Sequence, residues 1–573
     1  MNQSSMLKEL KVQMMYFLKN PLYMGGLVLS AILGYAYVLT HGTCGIDDIS
    51  IDLYFENGIG VAIGRWPYYL INKIIPIAEY TPFIGDFITV LLLMISAIAG
   101  CVLIRIIVGK ELSIWPYIVF SAMFLDYSMN ADVFVFYLQN GLGWVWLFSI
   151  LSLIAFLYVY KCRVDWKRQI LIRIAVIAML TLAISFYESA ANIFLTGGLL
   201  VILADLLVEK KESSFRGMRF ITGLFFMARY LVYAMVARRV IRGVIMRLFS
   251  IPAYIFYRSA FSIDWLTRGG IDGVMEAIKT LFAQIYKDYF AMSVVYYPIL
   301  LFVICSLIFG GYIVYATWEK KDGMLLLTGL GVYVSLFVLC VIEGNPMAYR
   351  ACQAFVLFVA VVFFGVAVAF SKAKKSVQKV GAIVLALALA VSVWDLNQWF
   401  ILDYDKTEYE MSVIDEIAQE LLSGQYAIEE KPIVFVGEFH LPEELQNRYS
   451  IKEGDFGFDT VKKALKAAKY KVEDAYAYGQ NSTSILNWSV HAFAMSCGYN
   501  VPIRQLFEYK GYDDFKWADA ETIKEVFAEY FPLDWEYYSY TTVEIYTETY
   551  GEMEQYPFEG YIEELENCIV IKL

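Results

Sequence analysis

The chain of 573 residues is 59% hydrophobic and 17% aromatic, and only 18% of it is charged, against about 25% in ordinary soluble domains. A single soluble domain is thereby excluded, and an integral membrane protein with an attached soluble part is expected. The net charge of −11 leaves no electrostatic footprint for nucleic acid.

An apolar stretch over 21–40 is long enough to cross a bilayer. It gives way to Thr43-Cys44-Gly45-Ile46-Asp47-Asp48 and then to Gly64-Arg65-Trp66-Pro67. Further apolar runs centre on 86–108, 113–128, 143–160, 170–187, 190–208, 220–238, 292–315, 323–342, 350–370 and 380–398. Together they predict about eleven transmembrane helices, the third of them short and the seventh basic. Beyond the seventh come Arg238, Arg239, Arg242, Arg247, Arg258 and Arg268. Arg238, Arg242 and Arg247 share one face of a predicted interfacial helix, and 271–290 reads as a second one.

After residue 400 the chain becomes charged and tyrosine-rich. Residues 431–437 read as a buried strand opened by proline and closed by glycine, with 541–546 and 568–572 as further strands. Residues 408–422 and 460–468 read as amphipathic helices. The expected fold class is therefore a mainly α polytopic helical bundle over 1–400, followed by a soluble α/β domain over 401–573.

Lys and Arg in the short loops set the orientation. With the N-terminus cytoplasmic, every inner segment is basic, from Lys8, Lys11 and Lys19 to Lys372, Lys374, Lys375 and Lys379. The stretch 41–86 is acidic instead, and 126–142 and 187–190 carry no Lys or Arg. An odd number of spans then puts the C-terminal domain outside the cytoplasm, beside Asp47 and Asp48. The first apolar stretch is too long for a cleavable signal, and no A-x-A-like site follows it. The sparse, scattered cysteines suit a bacterial plasma membrane.

Eight cysteines form no CxxC and no Cys/His cluster. Cys497 and Cys568 fall in the tail, where pairing is not decided by spacing. His41, His440 and His491 have no zinc-site spacing.

Ionisable residues beside spans are functional candidates because their burial is costly. Glu188, in Ser185-Phe-Tyr-Glu-Ser189, and Arg350, at the start of the tenth span, fall on the outer side with Asp47 and Asp48. Asp126, Asp132 and Gln139 fall there too. A carboxylate beside a membrane surface suits proton abstraction from a hydroxyl. Arginine suits phosphate, since its fork donates two hydrogen bonds at once. The cluster beginning at Arg238 therefore reads as a phosphate-facing surface. If the seventh span is misplaced, it reads as an amphipathic cytoplasmic helix instead.

The Asp47-Asp48 pair in the first outer loop, followed by Gly64-Arg65 with Pro67 and a second span, resembles the GtrII-type glucosyltransferase family within the GT-C class of membrane glycosyltransferases. Glu188 in Phe-Tyr-Glu-Ser and Arg350 at a span start fit more loosely. The resemblance covers about residues 10–400. It implies a polyprenyl-phosphate sugar donor, often of glucose, and a surface polysaccharide or lipid-linked glycan as acceptor. It also implies inversion at the anomeric carbon by direct displacement. Asp47 or Asp48 would then be the base, and Arg65, Arg238, Arg239, Arg242 or Arg350 would neutralise the departing lipid phosphate. Glu188 would bind sugar hydroxyls or orient an arginine. Clustered carboxylates leave room for Mg or Mn, although members of the class work without a metal and none is assigned here.

A transporter or flippase of lipid-linked sugars is the alternative. It calls for polar residues at mid-membrane and often for repeated halves. Here charge gathers at one surface and no repeat is visible. A polysaccharide polymerase shares the arginine-rich outer loop but has no need of Asp-Asp after the first span.

Overall fold

A computed structural model describes residues 3–43, 58–74, 82–109, 111–134, 141–161, 166–208, 213–252, 270–275, 299–343, 349–437, 439–449, 486, 502–518, 553–566 and 568–573. Asp47 and Asp48 lie outside the described residues. So do Gln139, Cys497, the expected helix at 460–468, the expected strand at 541–546 and most of the expected helix at 271–290.

The chain is a mainly helical, polytopic membrane protein. Among the described residues, eight helices are long and apolar enough to cross a membrane. An N-terminal helix α1 (Gln3–Leu18) precedes α2 (Pro21–Thr40). The Asn20 side chain starts α2 by accepting a hydrogen bond from Tyr23 N at 3.0 Å, and Pro21 sits in the first turn, where no donor is needed. Short helices α3 (Ile59–Ile63) and α4 (Trp66–Ile74) lead into α5 (Pro82–Val108). Next come α6 (Trp115–Asp126), α7 (Ala131–Phe134), α8 (Leu142–Lys161), α9 (Trp166–Phe186), α10 (Ala190–Val208) and α11 (Ser213–Leu248). The bundle is completed by α12 (Ile299–Lys320), α13 (Gly323–Leu336), α14 (Val338–Glu343), α15 (Ala354–Ser371) and α16 (Lys375–Leu422).

Three of the expected spans come out differently. The third is α6, only 12 residues long. At about 1.5 Å per residue it extends roughly 18 Å, well short of a ~30 Å hydrocarbon core. It packs against α2, α5 and α15 and ends at buried Asp126, which accepts a hydrogen bond from Ser30 Oγ. Tyr127 then turns the chain into extended backbone. A helix enclosed by others need not span the bilayer; each of the eleven expected runs is a helix, and among the described residues eight are long and apolar enough to cross. The apolar parts of α9 (Ile170–Phe186) and α13 are among the shorter.

The seventh span does not stop near residue 238. Helix α11 runs unbroken for 36 residues through Arg238, Arg239, Arg242 and Arg247. Arginine is a good helix former, and no proline interrupts the run. The expected shared arginine face is graded instead: Arg238 is buried, Arg242 half-buried and Arg247 exposed.

The expected span at 380–398 and the helix at 408–422 are one helix, α16, of 48 residues. Its lower part packs in the bundle core, whose buried residues end at Phe400, while a second buried cluster begins at Leu402. That cluster includes β1 (Ile433–Val436), buried at all four positions, and β3 (Ile569–Lys572). Between them in the chain lie α17 (Glu443–Tyr449), α18 (Pro502–Tyr509) and β2 (Ile562–Glu564). The sheet order is β1-β3-β2, with β1 parallel to β3 from Ile433 opposite Ile569, and β2 antiparallel to β3. Cys568 is a free, buried thiol.

Where α16 passes from one core to the other, Lys406 is fully buried and donates to Asp403 at 2.9 Å, three residues earlier. Removing Asp403 takes this ion pair from a buried ammonium. Asp403→Leu is expected to destabilise the chain by about 3–5 kcal/mol, and Asp403→Leu with Lys406→Met by much less. Thermal melting of the purified chain and both variants checks this; equal losses in the two would show that the pair's charge is not what matters.

Candidate active site

Helix α3 ends at Gly64, whose φ of 102° is left-handed and favours glycine. The close fit around it reinforces that choice. A Cβ here would lie 2.5 Å from Arg238 Nη2 and 2.7 Å from its Cζ. Arg65 N returns to Gly60 O at 2.7 Å, which closes the turn, and Pro67 then sits in the first turn of α4. The Gly-Arg-Trp-Pro motif thus places Arg65 at a helix junction, next to the glycine that lies against the Arg238 guanidinium.

Arg238 reaches this junction from α11. Its guanidinium donates to Ile63 O at 3.0 Å, to Gly64 O at 3.4 Å and to Glu188 Oε1. Glu188 lies in the turn between α9 and α10 and is 5% exposed. Its second oxygen, Oε2, accepts from Arg65 Nη2 at 3.3 Å. Arg65 also lies over the Tyr187 ring, with its Cζ 4.6 Å from the centroid. One carboxylate therefore ties three parts of the chain together. Burial opposes ionisation of Glu188, but the Arg65 and Arg238 guanidiniums more than offset it and hold the carboxyl below the usual glutamate range.

Tyr187 marks the wider cluster. Burial raises its phenol, the Arg350 and Arg65 charges pull it down, and Glu188 and Asp132 push it up. Arg350 is thus within electrostatic reach of the Glu188 group. Its backbone N–H donates to Asp132 Oδ2 at 2.5 Å. Asp132 sits in the first turn of α7 and is joined to the short 3-10 turn Tyr349–Ala351 before α15, across 218 positions of sequence. Beside these charges runs an aromatic wall. Phe186 stacks with Trp144 and Phe148 of α8, each at 6.0 Å, and meets the edge of Tyr68 at 5.4 Å. Ser185 and Ser189 place buried hydroxyls, with no hydrogen-bond partner among the described residues, next to Tyr187 and Glu188 in the chain.

Of the residues expected in the site, Arg65, Glu188 and Arg238 are brought into contact, and Arg350 joins through Tyr187 and Asp132. Arg239 is exposed and Arg242 half-buried, farther along α11. Asp126 is inside the bundle, on Ser30. Among the described residues there is no group of three or more His, Cys, Asp or Glu that could hold a metal ion. Asp132 was visible in the sequence only as an outer-side acid; nothing local signals its bond to Arg350.

These features define a multi-pass membrane protein with a buried arginine–carboxylate centre at one end of its bundle. Residues 36–369 match the profile of the family described as Glucosyl transferase GtrII, and the chain belongs to that family. The matched region begins in α2, ends in α15 and contains every candidate residue named above. The chain is therefore a glycosyltransferase. No curated protein and no solved structure matches it.

Two outcomes follow. Gly64→Ala should displace Arg238 and destabilise the chain by about 1–3 kcal/mol, read as a lowered melting temperature. Because the Glu188 carboxyl is depressed, its contribution is complete above the ordinary glutamate pKa of about 4.3 and is lost as pH falls through the lower folded value. Glu188→Gln should remove that acid-dependent part of stability. A wild-type and a variant melting curve with the same pH dependence would overturn the assignment.

Proposed function

We propose that the chain transfers a sugar, glucose by its family, from a polyprenyl-phosphate donor to a cell-surface glycan at the non-cytoplasmic face of a bacterial plasma membrane. The observation that carries this reading is Glu188 held between Arg65 and Arg238 inside the family-matched region. Two guanidiniums brought to one buried carboxylate gather positive charge at the site, suited to a phosphate leaving group. Arg65 is the better candidate to grip it. Its side chain is 19% exposed, whereas Arg238 is 8% exposed and spends its donors on Glu188 and the two α3 carbonyls. Arg238 then acts as a strut, and Glu188 orients the arginines. Arg350 supplies a second phosphate contact, and Arg239 and Arg242 extend the positive surface along α11.

In the step itself, an acceptor hydroxyl gives its proton to Asp47 or Asp48 as its oxygen attacks the anomeric carbon. The carbon–oxygen bond to the lipid phosphate breaks, and its electron pair leaves with the phosphate, which Arg65 and Arg350 neutralise. Attack opposite the leaving group inverts the centre, as expected of a GT-C enzyme. The carboxylates leave room for a divalent metal, and no part of the step needs one. The lipid-binding bundle corresponds to 1–400 and the extracytoplasmic domain to 401–573. The change of buried cluster between Phe400 and Leu402 supports that division. The basic loops support a cytoplasmic N-terminus.

The test is transfer of label from radiolabelled polyprenyl-phosphate glucose to a cell-envelope glycan by the purified chain. Asp47→Asn and Asp48→Asn keep shape and remove basicity. At least one should lower transfer by about 10²-fold or more. Arg65→Lys should lower it by about 10-fold or more, since lysine cannot replace the fork. Full activity in both Asn variants would remove the base from this loop. No transfer by wild type from this donor would reject the donor assignment.

A further inference from the structure

Helix α11 does not end at the Glu188 centre. It continues past Arg238 to Leu248, about 15 Å farther along the axis. At about 100° per residue, this stretch has two unlike sides. Val236, Val240, Val244 and Leu248 recur every fourth residue, and each is more than half exposed, so they form one apolar ridge. Ile241, Ile245 and Met246 lie on the other side and pack with Val61 of α3 and with Trp66 and Tyr69 of α4.

Arg242 belongs to the second side. It follows Arg238 by four residues, so it sits one turn farther out, about 6 Å along the axis and about 40° round. It is two residues from both Val240 and Val244, about 200° round, and therefore turns away from the ridge. Arg242 is half-buried there, and Arg239 beside it is exposed.

Arg238 has Glu188 as its counter-charge. Arg242 meets no carboxylate among the described residues. The charges that act on it are those of Arg238 and Arg239, both of its own sign. Like charges three or four residues apart on a helix repel, and partial burial weakens the screening that water would give. An anion bound at this face offsets the repulsion, and a guanidinium fork matches a phosphate or a carboxylate. The donor's phosphate is assigned above to Arg65 and Arg350, in the Glu188 centre one turn deeper. A bilayer headgroup meets the apolar ridge, on the other side of the helix. The second substrate is then the source of the anion.

We propose that Arg242, with Arg239 beside it, binds an anionic group of the acceptor, so that the acceptor is an acidic glycan carrying phosphate or carboxylate. The word acceptor rests on the glycosyl-transfer reading above; the site itself is tested by binding, with no donor present. The full chain in phosphatidylcholine nanodiscs is treated with phenylglyoxal, which modifies arginine, and the modified positions are read by mass spectrometry. Dextran phosphate or polygalacturonate should slow modification of Arg242 by about five-fold or more, and the stronger of the two tells phosphate from carboxylate. Unmodified dextran should not protect it. Arg247, on the ridge side, should stay unprotected throughout. This arm needs no variant. Arg242→Gln should weaken binding of the protecting polymer by about five-fold or more, while Arg247→Gln leaves it unchanged. Protection of Arg242 by phosphatidylglycerol in the nanodisc, without any glycan, would assign a lipid headgroup and overturn the proposal. Equal protection of Arg242 and Arg247, or none by either polymer, would overturn it as well. Transfer from polyprenyl-phosphate glucose enters none of these readouts, so a failed donor assignment leaves them intact.

Discussion

The arrangement depends on one buried carboxylate held between two guanidiniums. Glu188 cannot be ionised in an apolar bundle without compensation, and the compensation comes from distant parts of the chain. Arg65 is brought by the α3–α4 junction, and Arg238 by a helix that had to run well past the length of a simple span. Gly64 lets the second guanidinium lie against the turn that carries the first. If any of these is absent, the others are left as buried, unbalanced charge.

That interdependence explains why the cluster is braced rather than loose. Arg238 divides its donors between a carboxylate and two backbone carbonyls, so its position is set by the fold and not by a ligand. Arg65 has one carboxylate contact and one aromatic face, and its side chain retains some exposure. The same residue type therefore does two kinds of work a few ångströms apart. One guanidinium is enclosed by the fold, and the other keeps part of its surface exposed.

Much of the bundle was legible in the sequence because bilayer crossing needs long apolar runs, and such runs are visible without any partner. Strand β1 was legible too, as an apolar segment bounded by Pro432 and Gly437. The helix lengths were less so. Apolarity alone could not show that α6 stops at Asp126, since the stop depends on Ser30 and the helices around it. Nor could it show that α11 and α16 continue through their charged stretches. A change from apolar to polar residues marks where surroundings change, and the backbone need not break there. Glu188 and Arg350 were singled out because charge beside a span is costly, and Arg65 because of the Gly64-Arg65-Trp66-Pro67 motif. Their pairing was not visible, because Arg65 and Glu188 lie 123 positions apart and Arg238 and Glu188 lie 50 apart. Asp132 was placed on the outer side, but its bond to Arg350 was hidden for the same reason.

The ion pairs along α11 also set the depth of the site. Arg219 with Asp205 and Arg238 with Glu188 are nineteen residues apart on one helix, about 28 Å at 1.5 Å per residue. That is close to the ~30 Å thickness of a hydrocarbon core. Charge pairs are tolerated most readily where an apolar slab ends, and the spacing of the two pairs fits that thickness. Helix α11 then continues past Arg238 without a break, with Arg239 exposed, Arg242 half-buried and Arg247 exposed.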